Sequence, residues 1–421
     1  MSYSGLKEMN VISAPTSRDA TWIRSQFPAL DSGFAYLENA GGSQVPASVI
    51  HQMSSYMRDR YVQLGASYPQ SLQATETVER SHQFANRLMN GEGVGKTIIG
   101  ASSTTLIQML AASYGQVLGP GDEIIVAECG HEANIGAWLK LAERGITVKL
   151  WSVNREAEDC TLELLESMLG PQVKLVAFPH VSNLLGRVWD VRRVTSMCHS
   201  VGARVIVDGV AYAPHRAVDV QGWGVDWYLF STYKVYGPHG ALMFGRDDAI
   251  EGLVGPNHYF VPNHAIPEKF EPGGVNHESA AGLLGTGRYL SELASEGSES
   301  ECSRDSIERA FEHMALIELS IQQPIIEYLL AKPAVRIVGP SSYGQERVPT
   351  ISFLSSHKSP SEIVHAVDSH NIGIRYGHMY SKRLCEALGI DSVEGVVRIS
   401  AVHYNSIEEV RRLIETLDTV L

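Results

Sequence analysis

The chain has 421 residues, 44% of them hydrophobic and 19% charged, with a formal net charge of -13 and a pI of about 5.7. That composition supports a sizeable core in two or three domains, or one large domain with a smaller partner, and argues against disorder. The acidic balance disfavours nucleic acid as a partner while leaving room for a local basic pocket. The five cysteines, Cys129, Cys160, Cys198, Cys302 and Cys385, are scattered and form no CxxC pair. Neither a disulfide framework nor a structural metal is expected from them. The first residues lack the apolar run of a signal peptide, and no stretch is apolar enough to span a bilayer. The default expectation is a cytoplasmic protein with no membrane partner.

Residues up to about Ser17 read as an arm, with Ser17 as the cap of a short helix through Phe27 whose apolar face is Trp22, Ile23 and Phe27. Pro46 sits where a first helical turn tolerates it, and ASVIHQMSSYMRDRYVQL has helical spacing after it. From about residue 97 the pattern alternates. The strands TIIGA, DEIIVAE, ITVKLWSV, VKLVAFPHV, RVIVDGV and DWYLFS are short and apolar. Helical segments such as STTLIQMLAASYGQVL, NIGAWLKLAERG, TLELLESML and DVRRVTSMCHSVG intervene. This predicts a mainly parallel sheet covered by helices, with any ligand at the carboxyl ends of the strands. Beyond it comes a long helix from about Ser303 to Leu330. The short strands VPTISFL, GIRYG and VVRISAVHY follow, with helices near 360–370 and 406–420. These point to a smaller α+β unit. The expected division is 1–45, 46–295 and 296–421, the first segment packing with the third.

Two strands deliver an acid and an amine to one edge of the sheet. Asp208 ends VIVD, and Lys234 follows DWYLFS in FSTYKVYGPHG. A buried carboxylate needs a cationic partner, so an ordinary ion pair or two loop residues would also explain them. Pyridoxal 5′-phosphate (PLP) chemistry uses both groups: a lysine amine for the Schiff base and an acid beside the pyridine nitrogen. A phosphate would suit GASSTTLIQ at 100–108, where Gly and hydroxyls lead into a helix N-terminus and Ser103 and Thr104 add donors. A plain Ser/Thr cap accounts for that segment equally well.

The run of motifs from YLENAGGSQVP at 36–46 to VRISAVHYNSIEEVRRLIETL at 397–417 resembles the fold-type I PLP enzymes, in particular class V aminotransferases and cysteine desulfurases. The resemblance covers nearly the whole chain. It implies a large PLP-binding domain with a mainly parallel sheet of the seven-stranded type, a small α+β C-terminal domain and a homodimer with a shared active site. YLENAGGSQ resembles the substrate-side loop, with Asn39 toward the substrate. HEANIGAW implies that His131 stacks on the cofactor ring, and VSNLLGRV places Asn183 near its hydroxyl. VDGVAYAPH carries the pyridine-nitrogen acid Asp208. FSTYKVYGPHG carries Lys234, with Ser231 and Tyr233 toward the phosphate, and FEPGGVNHE brings Gly274 toward the neighbouring subunit's phosphate site. Arg398 matches the family's carboxylate-binding arginine; Arg375 and His378 are further substrate-side candidates.

Three departures bear on the reaction. Ala211 stands where the family has a glutamine, and Tyr233 where desulfurases have a histidine. Tyr380 stands where they carry the persulfide cysteine after RYGH at 375–378. Tyrosine cannot act as a thiolate. Cys385, five residues on in LCEAL, reads as a buried structural cysteine. The resemblance therefore implies an amino-acid lyase of C–S or decarboxylase type, or a transferase. Transamination with a keto acid is the alternative, and a non-catalytic PLP-binding regulator the rival from another class. A nicotinamide enzyme is disfavoured, because no GxGxxG follows the first strand of the alternating region.

Overall fold

The computed structural model describes residues 18–294 and 302–421. The expected arm up to Ser17 and the expected boundary at 295–296 fall outside them. The first helix is Ala20–Ser25, and its cap is Asp19, whose carboxylate accepts from the Trp22 amide at 2.8 Å. This corrects the expectation for Ser17: a carboxylate nearer the first turn does the capping.

Seven strands form the main sheet: β1 (Gly95–Gly100), β2 (Glu123–Ala127), β3 (Thr147–Trp151), β4 (Val173–Pro179), β5 (Arg204–Asp208), β6 (Trp227–Ser231) and β7 (Ala241–Arg246). Their order is β1-β7-β6-β5-β4-β2-β3. Adjacent strands from β6 through β3 pair in parallel, and β7 runs antiparallel to both β6 and β1. The central strands are buried along their length, as strands covered on both faces must be, which is why they read as continuous apolar runs. Helices including Ser103–Val117, Ala133–Leu139 and Val191–His199 cover the sheet.

A second sheet contains β8 (Val335–Val338), β9 (Thr350–Ser355), β10 (Arg375–Gly377) and β11 (Val396–Ser400), in the order β8-β9-β11-β10 and antiparallel throughout. Its apolar face packs under Arg304–Leu330, Pro360–Asp368 and Ile407–Val420, around Ile351, Phe353, Val397 and Ile399. Both later helices open with a capping box, from Ser359 with Glu362 and from Ser406 with Glu409. The N-terminal segment joins this unit: Ala35–Tyr36 pairs in parallel with Ile372–Gly373, and Glu38 bridges to Ser400.

Candidate active site

The carboxyl edge of the main sheet gathers most of the expected residues. Asp208 ends β5 and Ser231 ends β6, while Ser103, His131 and Asn183 follow β1, β2 and β4 directly. Lys234 sits in a single 3₁₀ turn, Thr232–Lys234, just past β6. The Thr232 hydroxyl donates to Pro238 O at 2.6 Å, and the Tyr236 hydroxyl to Pro214 O at 2.7 Å. Tyr236 itself is left-handed, at φ +59°. The lysine is thus held by its turn rather than by its own head group: its side chain is buried, with no hydrogen bond or ion pair among the described residues. Burial, reinforced by Arg398, brings the amine down to about 8. Asp208 is also buried, which raises its pKa; the Val210 amide, donating to it at 3.0 Å, and Lys234 pull the other way.

His131 is held in one tautomer. Its Nδ1 accepts from the Ala133 amide at 3.0 Å, so the ring proton belongs on Nε2. Burial, with Lys234 and Arg398 nearby, holds the imidazole at about 4. Ser103 and Ser231 share a buried hydroxyl–hydroxyl hydrogen bond of 2.8 Å, joining the helix start to the end of β6. The helix cap is Ser102, whose Oγ accepts from Thr105 N at 3.1 Å. The Ser103 and Thr104 amides make no hydrogen bond among the described residues, the usual state of a first helical turn that can receive an anion. Thr104 is exposed, Tyr233 stacks on His239, and Gly274 (φ +82°) lines a cavity with Gly100, Ala101 and Thr232 of the same chain.

Two of the expected residues already have partners within the chain. Asn39 is buried with its amide committed: it donates to Tyr36 O, Ser400 O and Asn405 Oδ1, and Tyr404 donates to its oxygen. These bonds brace the loop against Ser400 and Asn405. The Asn183 amide spans to the opposite wall, donating to Met379 O and accepting from the Ser381 hydroxyl, both at 2.8 Å. Elsewhere, His215 pairs with Glu318, and His403 lies between the hydroxyls of Tyr289 and Tyr236.

The second sheet supplies the arginines. Arg398, on β11, is buried; Nη1 donates to Asn183 O at 3.1 Å and Nη2 lies 3.3 Å from Glu38 Oε1, while Nε is buried without a partner. Burial lowers it to about 10, still charged at neutral pH. Arg375, on β10, is more exposed and meets the same Glu38 oxygen at 3.3 Å. Glu38 is the site residue the sequence reading passed over, one position before Asn39. His378 Nδ1 accepts from the Tyr380 amide at 3.0 Å.

Tyr380 stacks on His131 from a bend in which both Met379 and Tyr380 are left-handed, at φ +49° and +62°. Such backbone is costly for residues with a Cβ and persists when neighbours enforce it. Here Glu132 N donates to Tyr380 O at 2.9 Å, and the carboxylate of Glu132 pairs with Arg383 at 2.8 Å. All five cysteines are buried. Burial pushes the Cys385 thiol up to about 11. Though scattered in sequence, Cys129, Cys160 and Asp159 bring their ligand-type atoms within 4.8 Å of one another; Arg187, 3.0 Å from Asp159, already supplies a cation there.

This arrangement fits PLP on its own chemistry: a buried unpaired amine, a buried carboxylate, a ring-sized neutral imidazole and a helix start with free first-turn amides around one edge. The aminotransferase class-V family model matches residues 35–413, and the chain belongs to that family of PLP-dependent enzymes. It is 38% identical over 410 residues to the aminotransferase-like protein FGM3 of Gibberella zeae, covering 95% of this chain and 98% of that one. It is 31% identical over 419 residues to the cysteine desulfurase-like protein ustD of Aspergillus flavus, covering 96% and 91%. The fold is that of the apo cysteine desulfurase of Thermococcus onnurineus, at TM-score 0.85 and 23% identity over 96% of this chain and 98% of that one.

Proposed function

We propose that the protein is a PLP-dependent amino-acid lyase or transferase that works without a protein-bound persulfide. The observation that carries this is the Tyr380–His131 stack on a pinned bend, with every cysteine of the chain buried. A sulfur-carrying mechanism needs an accessible thiolate on a mobile loop. C–S cleavage that releases sulfur as a small molecule, or decarboxylation, does not.

In this reading Lys234 Nζ would hold the cofactor covalently, being unpaired and, with its pKa brought down to about 8, far more often neutral near pH 8 than an ordinary lysine. Bound there, PLP supplies an electron-accepting ring that stabilises negative charge at the substrate's Cα. Asp208 keeps the pyridine nitrogen protonated. His131 covers the ring face, and its low pKa keeps it uncharged beside that nitrogen. Ser103, Ser231 and the first-turn amides, with Thr104, Tyr233 and a partner's Gly274 loop, surround the phosphate. Arg398 would fix the substrate carboxylate and so orient the bonds at Cα for cleavage. Lys234, released by the substrate, returns or removes the proton at Cα. The working unit is a homodimer, with residues 18–45 and 302–421 forming the substrate side and 46–294 the cofactor side.

The test is to add a panel of L-amino acids to the purified yellow protein, following its absorbance and assaying keto acids, sulfide and CO₂. Product accumulating while the starting spectrum returns supports the lyase reading, and Lys234→Ala should abolish it. A lasting change to the amine form of the cofactor with one amino acid would make the protein an aminotransferase instead. A colourless protein that takes up no PLP would overturn the reading.

A further inference from the structure

We propose that Glu38 determines specificity at this site: it pairs with Arg398 and yields it to a ligand carboxylate while keeping Arg375 as its counter-ion. The inference rests on the role assigned to Arg398 above and adds the group that competes for it.

Arg375 and Arg398 are register partners on the β10–β11 pair. Like charges placed opposite one another on a sheet repel. One oxygen of Glu38 lies between them, 3.3 Å from Nη1 of Arg375 and 3.3 Å from Nη2 of Arg398. Both contacts are long for charge-assisted hydrogen bonds, which close to about 2.7–2.9 Å. Glu38 is therefore stretched between two cations and tightly bound to neither. Room for this carboxylate comes from Gly41, where a Cβ would fall 2.1 Å from the same oxygen.

The free valence of Arg398 shows what displaces it. Nη1 is committed to Asn183 O, Nη2 is loosely held, and Nε is buried without a partner. Nε and Nη2 form the edge that grips a carboxylate through two parallel hydrogen bonds. Glu38 reaches only one of these donors. An incoming carboxylate can take both and satisfy the orphaned Nε, a buried donor that otherwise costs free energy. Glu38 is not stranded by the exchange, because Arg375 remains beside it with its side chain 54% exposed. A ligand with a single acceptor, such as an amide, cannot engage the full edge and does not offset the loss of Glu38. The pocket thus favours free amino acids over their amides.

The test is calorimetric titration of propionate and of propionamide into the PLP-loaded protein and its variants. Glu38→Gln, nearly isosteric, removes the competing charge and should bind propionate ~5- to 10-fold tighter, with propionamide little changed. Arg375→Gln leaves Glu38 with Arg398 alone and should weaken propionate by a similar factor. That penalty should shrink in the double variant. Propionate binding that is unchanged or weaker in Glu38→Gln, or absent from all forms, overturns the proposal and leaves Glu38 a brace for Arg398. If Glu38→Gln does not fold, an unchanged affinity in Arg375→Gln overturns it alone. A protein that holds no PLP defeats the functional reading, while the same titration on that protein still decides the role of Glu38.

Discussion

The ring of Tyr380 lies over that of His131, with 5.1 Å between centroids and 29° between planes. The tyrosine is 64% exposed, so it shields the histidine from water while burying little of itself. Tyr380→Ala should therefore cost no more than about 1 kcal/mol of stability, the usual worth of one aromatic pair. Its effect should fall on turnover, since His131 loses the packing that fixes its plane. A thermal melt within a few degrees of wild type, with a clear fall in kcat/KM, is the expected pair of results. A large loss of stability with normal turnover would contradict it.

Lys234 gives the cofactor-free protein a specific pH dependence. Burial, with Arg398 nearby, holds its amine at about 8, whereas in the unfolded chain it keeps its proton to ~10.4. Between those values the unfolded state binds more protons, so folding stability rises with pH, by up to ~1.4 kcal/mol per unit from this group. Below about 8 the cost of burying the charged amine is fully present. Lys234→Met should flatten the rise, which urea midpoints at a series of pH values would read directly.

Asp208 separates chemistry from folding. Its carboxylate accepts one hydrogen bond, from the Val210 amide at 3.0 Å, which an asparagine oxygen can also accept. Asp208→Asn should fold with stability within about 1 kcal/mol of wild type. It should nevertheless lose ~100-fold or more in kcat, because a neutral amide cannot hold the pyridine proton. Parallel melting and turnover measurements check both halves.

Arg398 is buried and uses its planar fork in two directions at once, toward Asn183 O and toward Glu38. Lysine is not a conservative replacement at such a position. Arg398→Lys should raise KM for the amino-acid substrate at least ~10-fold, with a smaller change in kcat, as expected when ground-state binding is what has been lost.

The parallel sheet was legible because each of its central strands is apolar throughout and bounded by helical periodicity. β7 was not: Ala241–Arg246 follows a Gly-Pro-rich turn and reverses direction, which no alternation announces. Two long helices, Pro69–Leu88 and His277–Leu293, also escaped. Much of their buried face is Ala, Ser, Thr and Gly rather than large apolar residues. At the site, Asp208 and Lys234 stood out because strand ends announce themselves in sequence. Glu38 did not, because its meaning depends on an arginine 360 residues away. The partners of the Asn39 amide were hidden for the same reason, since they come from Ser400, Tyr404 and Asn405.

The N-terminal strand Ala35–Tyr36, laid against Ile372–Gly373, closes a circuit that the chain order conceals. Every side chain proposed to face the cofactor ring lies between residues 131 and 234, while Glu38, Arg375 and Arg398 come from the two ends of the sequence. In the proposed reading the carboxylate-binding groups thus lie on the flanks of the sequence and the ring-facing groups in its interior, with Tyr380 reaching from one to the other. Substitutions in the flanks would then change which molecules are held while leaving the groups around Lys234 in place.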